Sequence, residues 1–326
     1  MKLDVAFLDI PFNLPYSFAR AHLVSAPLLR VHLSDDDFTG RGEATLFESP
    51  FADPKAANTE LLEGVRQQVE DGATREDLLT LLPGGPVRNA LDAALWDLEA
   101  KRSGVRVWNR IGLPEPAPAE DMLTISLADE PQFSQELRDS RGRRVLKLKL
   151  GSDTDVQRLA TTRAIRPDAD LVVDVNCGWS LEQLVEMLPV LERHGVSMVE
   201  QPVGPDDEEG LRGLPRSVPL IADESFYSLE DLPRISELYD GVNIKLDKCG
   251  GLTAALRIVA EARRRKMRIM VGCFAASSLA TAAAFQVANH AEFRDIAGHL
   301  ILTDDVQPSI ACRDGWLDPP SAELWG

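Results

Sequence analysis

Several features that settle a protein's class early are scarce in this chain. Its 326 residues hold four cysteines, Cys177, Cys249, Cys273 and Cys312, scattered without metal-type spacing. Neither a zinc module nor a disulfide framework organises such a chain, and the four read as free thiols of a reducing compartment. The five histidines, His22, His32, His194, His290 and His299, form no motif. No apolar run is long enough to span a bilayer. The start, Met1-Lys2-Leu3-Asp4, puts an acid where an export signal needs an apolar core, so a cytoplasmic location is expected. Positive charge is in deficit: a net charge of −17 argues against nucleic acid or an anionic membrane as partner. An apolar fraction of 44% and a charged fraction of 27% are those of a soluble globular protein able to bury a sizeable core.

What is present is concentrated between Val145 and Gly251. Five short apolar runs each end in polar residues: Lys147-Leu148-Lys149, Asp174-Val175-Asn176, Glu200-Gln201-Pro202, Asp223-Glu224-Ser225, and Asn243-Ile244-Lys245 followed by Leu246-Asp247-Lys248. A helix-like segment follows each run. Polar residues at the C-terminal tips of successive parallel strands are how a (β/α)8 barrel builds its site. Asp174, Glu200 and Asp223 are 26 and 23 residues apart, about one βα unit each. They are expected on neighbouring strands, facing one cavity.

Three converging carboxylates repel one another and are costly to desolvate, and a divalent cation resolves the conflict. All-oxygen ligation suits a hard ion such as Mg²⁺. Lys147 and Lys149 would flank the ion on one side and Lys245 on the other. Nearby positive charge would destabilise the ammonium form of a lysine and make it a base near neutral pH. Taken one at a time, an acid at a strand end reads as a helix cap and a Lys-x-Lys as an exposed strand face. Five clusters in consecutive units carry the functional reading.

In this pattern the chain resembles the enolase superfamily, in its muconate-lactonizing-enzyme-like branch and among dipeptide epimerases. The resemblance spans nearly the whole chain. It implies a modified TIM (β/α)7β barrel, an α/β fold, under an N-terminal α+β capping domain. It implies residues 1–118 as the cap, completed by a tail of about 303–326, and 119–302 as the barrel. One Mg²⁺ per subunit falls to Asp174, Glu200 and Asp223. Lys149 and Lys245 fall on opposite faces of the substrate α-carbon, with Lys147 tuning Lys149 and contacting the substrate carboxylate. The chemistry implied is 1,1-proton transfer through an enediolate.

In the cap, Gly40-Arg41-Gly42-Glu43-Ala44 and Ala94-Leu95-Trp96-Asp97 match family signatures, the latter within a helix over Val87–Ser103. Strands are expected at Leu3–Leu8 and Pro27–Leu33, joined by a loop over Asn13–His22. The resemblance puts Arg20 of that loop where a guanidinium binds a distal substrate carboxylate; a solvated loop arginine is the plain alternative. Further barrel strands are expected at Met122–Leu127, Arg268–Gly272 and Phe293–Ala297. Relatives carry Asp-x-Asp on the eighth strand for a substrate ammonium. Here Asp295 is kept and Ala297 replaces the second acid, while Ala276 stands where many relatives have an acid. Both changes are expected to remove charge from the mouth and to bear on the substrate, a dipeptide or an N-acyl amino acid. His299 could approach the pocket, although a lone histidine more commonly packs. Lys248 and Asp247 are expected to support the site or close the next turn. The same residues would also serve an o-succinylbenzoate-synthase-type elimination or a cycloisomerisation. A non-catalytic binding protein on the same barrel is the reading from another class. Homo-oligomers are the family's habit.

Overall fold

The computed structural model describes residues 1–18, 21–46 and 54–326. The chain opens with three antiparallel strands, β1 Lys2–Phe18, β2 Ala21–Asp35 and β3 Phe38–Thr45. The β1–β2 hairpin is longer than expected. Pairing resumes beyond Pro11 after a register shift and includes Tyr16 with Leu23 and Phe18 with Ala21, so most of the expected loop Asn13–His22 is strand. Helices α1 Pro54–Glu70, α2 Arg75–Leu81, α3 Pro86–Ser103 and α4 Val107–Arg110 follow. Pro86 opens α3, where its missing N–H costs nothing, and Gly104 closes it in the left-handed conformation.

The sheet lies directly on α3. A Cβ on Gly40 would fall 2.0 Å from the Ala94 carbonyl oxygen, and one on Gly42 would fall 1.9 Å from that of Ala90. The two glycines of the signature are therefore needed for close backbone approach. Leu29, Val31, Leu33, Leu91 and Leu98 fill the core between the layers.

A two-residue strand, β4 Ala119–Glu120, leads into the barrel. The sequence then alternates: β5 Leu123–Ile125, α5 Gln132–Asp139, β6 Val145–Lys149, α6 Asp155–Ile165, β7 Asp170–Asp174, α7 Leu181–Arg193 and β8 Val196–Glu200. Only a short 3-10 turn, Glu208–Leu211, separates β8 from β9 Leu220–Ala222. Then come α8 Leu232–Leu238, β10 Gly241–Ile244, α9 Leu246–Cys249, α10 Leu252–Arg264, β11 Arg268–Gly272, α11 Ser278–Ala288 and β12 Phe293–Asp295. The eight parallel strands run in sequence order from β5 to β12. The seam between first and last is drawn together by Met122 N–H on the Arg294 carbonyl (3.0 Å) and Ile296 N–H on the Asp121 carboxylate (2.6 Å). This is a nearly closed barrel under an N-terminal antiparallel sheet.

Strand alternation explains the barrel interior. Val172, Met198, Ile221 and Met270, with Met122, form an apolar layer inside it. Each of the first three lies two residues before Asp174, Glu200 or Asp223, so the acids form the next layer toward the strand tips.

The chain ends with β13 Cys312–Arg313 and β14 Trp316–Leu317, paired with β4. Trp325 Nε1 donates to the Arg41 and Ala93 carbonyls, each at 3.1 Å. Asp97 accepts the N–H groups of Arg41 and Gly326, both at 2.7 Å. Glu43 accepts Ser277 N–H (2.7 Å) at the start of α11, which ties cap to barrel. Among the described residues no helix is long and apolar enough to cross a membrane.

Candidate active site

Strand register places the candidate residues side by side. Lys149 pairs with Asp174, and Asp174 with Glu200, across β6, β7 and β8. Asp223 lies just past β9, and Lys245 just past β10. Lys147, Lys149, Asp174, Glu200 and Asp223 are all buried, and Lys245 is nearly so.

The ion pairs fall into two groups joined through the middle acid. On one side Asp174 Oδ2 receives Lys149 Nζ at 2.7 Å and Lys147 Nζ at 3.0 Å. On the other, Asp223 receives Lys245 Nζ at 2.7 Å and Lys248 Nζ at 2.9 Å. Lys248 also donates to the Asp223 carbonyl, so the suspected supporting residue touches the acid directly. Between the groups, Glu200 takes Lys147 on Oε2 (2.7 Å) and the Asn243 amide on Oε1 (2.7 Å). The Lys147 contact is off-line: Oε2 accepts no hydrogen bond despite that distance.

Protonation follows this layout. Burial raises the Asp174 carboxyl, but the Lys147 and Lys149 ammonium groups outweigh it and bring it down to about 2. Burial raises Asp223 too, and Lys245 with Lys248 pull it well below the carboxylate range. Glu200 is pushed up to about 8 by burial and the Asp174 charge, with Lys147 only partly opposing. The middle acid is short of positive charge. At Lys245 burial lowers the ammonium, but the Asp223 and Glu200 carboxylates more than offset this and hold it above its ordinary value. Lys147 is likewise raised, burial being outweighed by Asp174, Asp295 and Glu200.

Among the described residues no three acid, histidine or cysteine side chains stand as a preformed metal cage, because ammonium groups lie on the carboxylates. The donor chemistry nevertheless fits a hard divalent ion. Three carboxylates follow one another around the barrel, and the central one has an oxygen without a hydrogen bond in a pocket short of positive charge.

The remaining candidates divide. Asp295 faces the site but is engaged, accepting Lys147 Nζ at 2.8 Å. Ala276 is buried in an apolar cluster with Phe12, Ala26, Leu28 and Leu302. Ala297 packs against the main core. His299 is a buried tie, with its ring nitrogens 3.2 Å from Thr281 Oγ1 and 3.0 Å from the Ile310 carbonyl, and does not approach the site. Asp247 accepts Thr45 N–H (2.9 Å) and the Asn89 amide (3.0 Å), so it joins the barrel to the cap. Arg20 lies outside the described residues.

Asn243, Asn176, Glu224 and Phe274 also belong to the site. Asn243 lies two residues before Lys245, and period-2 alternation would have found it. Its neighbour Gly272 leaves room for it, since a Cβ there would fall 2.7 Å from the Asn243 amide and displace it. Asn176 Oδ1 accepts Lys149 Nζ at 2.8 Å, and Asn176 Nδ2 donates to Glu224 Oε1 at 3.1 Å. The Phe274 ring faces the Lys245 ammonium at 4.8 Å.

A nearly closed parallel barrel with an acid row flanked by lysines, under an antiparallel cap, defines the class. The family model described as enolase C-terminal domain-like matches residues 131–323. The chain is 35% identical over 309 residues to the L-Ala-D/L-Glu epimerase of Escherichia coli (strain K12), covering 94% of this chain and 96% of the relative. A solved enolase family member from Agrobacterium tumefaciens, with homology to dipeptide epimerases and with bound sodium and L-Ala-L-Glu, superposes with a TM-score of 0.94 at 35% identity over 99% of both chains. The dipeptide epimerase of Methylococcus capsulatus, complexed with Mg and L-Arg-D-Lys, gives 0.89 at 26% identity over 98% of both. The chain belongs to the enolase superfamily and falls among its epimerases, which are isomerases.

Proposed function

We propose that the protein is a Mg²⁺-dependent dipeptide epimerase acting by 1,1-proton transfer at the carbon α to a carboxylate. The observation that carries this is the placing of Lys149 and Lys245 on opposite sides of one acid row, each on a different outer carboxylate. Pure binding needs no proton-bearing group on each side. Asp174, Glu200 and Asp223 would hold the ion. Bound there, it would neutralise their charge and, as a Lewis acid, draw electron density from the substrate carboxylate. Lys149 and Lys245 exchange protons with the α-carbon from opposite faces, one taking as amine and the other giving as ammonium. Lys147 holds the row together and orients the substrate carboxylate, and Asp295 lies beside it for the substrate's amino end. Arg20 belongs to this reading as the group for a distal carboxylate.

The same reading divides the chain into a cap, 1–118 with 303–326, and a barrel, 119–302. It also carries a cytoplasmic location, supported by the free thiols Cys249, Cys273 and Cys312, and a homo-oligomer, supported by apolar Leu23 and Val24 exposed on β2.

The test is a panel of L,L-dipeptides incubated in D₂O with Mg²⁺ and followed by mass and chirality. The expected result is deuterium at one α-carbon with inversion, abolished by EDTA and restored by Mg²⁺. A dehydrated or cyclised product, or no α-exchange across the panel, sinks the reading.

A further inference from the structure

The turn after β7 has an unusual construction. Asn176 and Cys177 both lie in the left-handed region, at φ +47° and +65°. Asparagine tolerates this conformation, whereas for most side chains it is strained. The surroundings fix it. Asn176 N–H donates to Asp174 Oδ1 (3.0 Å), Cys177 N–H to the Gln201 carbonyl (2.9 Å) and Gly178 N–H to the Val175 carbonyl (2.9 Å). Gly178 packs so tightly that a Cβ on it would fall 2.9 Å from Gly151 Cα. A backbone pinned this way turns the Asn176 side chain into the barrel, where it is buried.

That side chain bridges Lys149 and Glu224. An amide has two ends, and only one suits an ammonium. With Nδ2 on Glu224 Oε1 at 3.1 Å, Oδ1 faces Lys149 Nζ at 2.8 Å. A carboxylate only accepts, so Glu224 excludes the flipped amide, which would press an NH₂ group against the ammonium. Glu224 Oε2 is itself buried without a hydrogen bond. A carboxylate kept in so poor a setting is poorly explained by its own satisfaction. It is explained by the orientation that it imposes.

We propose that Asn176, oriented by Glu224, is a positioning residue for Lys149 and so for proton transfer at one face of the substrate only. The assignment rests on the epimerase reading above. Among the described residues Lys245 hydrogen-bonds to neither Asn176 nor Glu224 and meets Glu224 only as a nearby charge; its own partners are Asp223 and the Phe274 ring. Loosening Asn176 should therefore spoil one face and spare the other.

The experiment follows α-proton exchange in D₂O separately from each epimer, with Mg²⁺, using the whole enzyme. In Asn176→Ala, exchange from the epimer whose α-proton faces Lys149 should fall roughly 10- to 100-fold, the scale of a small misplacement of a reacting group. The opposite epimer should still take up deuterium within roughly threefold of the unaltered enzyme, with its inversion slowed by the larger factor. Asn176→Asp should show the same one-sided loss, since it sets a carboxylate against Glu224. The double variant Asn176→Asp with Glu224→Gln keeps the net charge and rebuilds the bridge, its glutamine amide donating to the new aspartate. It should recover most of the lost exchange. Equal loss from both epimers, no loss in Asn176→Ala, or no recovery in the double variant overturns the assignment. Absence of α-exchange in the unaltered enzyme overturns the epimerase reading and this assignment with it.

Discussion

The two sides of the acid row are built alike at the carboxylate and differently behind the lysine. Asp174 and Asp223 each carry two ammonium groups, Lys147 with Lys149 and Lys245 with Lys248. Behind Lys149 stands a polar bridge made entirely within the barrel, Asn176 and Glu224. Behind Lys245 stand an aromatic face, Phe274, and a turn fastened to the cap through Asp247. A hydrogen bond fixes direction, whereas a ring face favours a cation with little directional demand. The Lys149 side is therefore the more narrowly aimed, and the Lys245 side depends on how the cap sits.

Removing each lysine tests the comparison hardest. Lys149→Ala leaves Asp174 with Lys147, and Lys245→Ala leaves Asp223 with Lys248, so neither strands a buried carboxylate. Inversion should fall on the order of 10³-fold in both, within the range of general acid–base catalysis. Deuterium uptake without inversion should survive in each, from opposite epimers, as read by mass spectrometry and chiral chromatography. If the two variants lose exchange from the same epimer, the lysines do not divide the faces between them.

The parts of this site legible in the sequence are those that strand alternation controls. Asp174 and Glu200 close apolar strands, and Asp223 and Lys245 stand directly past them, so spacing alone orders them around the barrel. Asn176 and Glu224 lie just beyond the tips, where turn geometry and not alternation aims a side chain, and the left-handed turn at Asn176 has no glycine to announce it. In the cap, Pro11 and Pro15 hid the far half of the hairpin, because proline within a run argues against a strand, and the register breaks between Pro11, which still pairs with Ser25, and Tyr16, the stretch that contains Pro15.

Phe274→Leu sharpens the comparison from the weaker side. It keeps an apolar filler and removes the ring face 4.8 Å from Lys245. A cation–π contact of about 0.5–2 kcal/mol corresponds to roughly 2- to 30-fold. Exchange should fall by that factor from the epimer facing Lys245 and hold steady from the other. A loss confined to the epimer facing Lys149 would break the pairing of ring with lysine.

Asp247 supplies the smallest expected effect on rate and a measurable one on stability. Burial pushes its carboxyl up to about 6 from an ordinary 3.8, and its hydrogen bonds from Thr45 and Asn89 only partly oppose this. Below about pH 4 the group is protonated in both the folded and the unfolded chain. Between about pH 4 and 6 the folded chain keeps the proton that the unfolded chain has released, so stability falls as pH rises through this window, and the penalty is constant above it. At about 1.4 kcal/mol per tenfold change in proton affinity, the penalty is up to about 3 kcal/mol. Asp247→Asn keeps an oxygen for Thr45 and Asn89 and removes the buried charge. Urea unfolding between pH 4 and 7 should show a flatter profile and equal or greater stability at pH 7, with exchange from both epimers close to unaltered. If instead exchange from the Lys245-facing epimer alone collapses, the cap aims that lysine through the Asp247 charge itself, and the hydrogen-bonded shape of the turn is not enough.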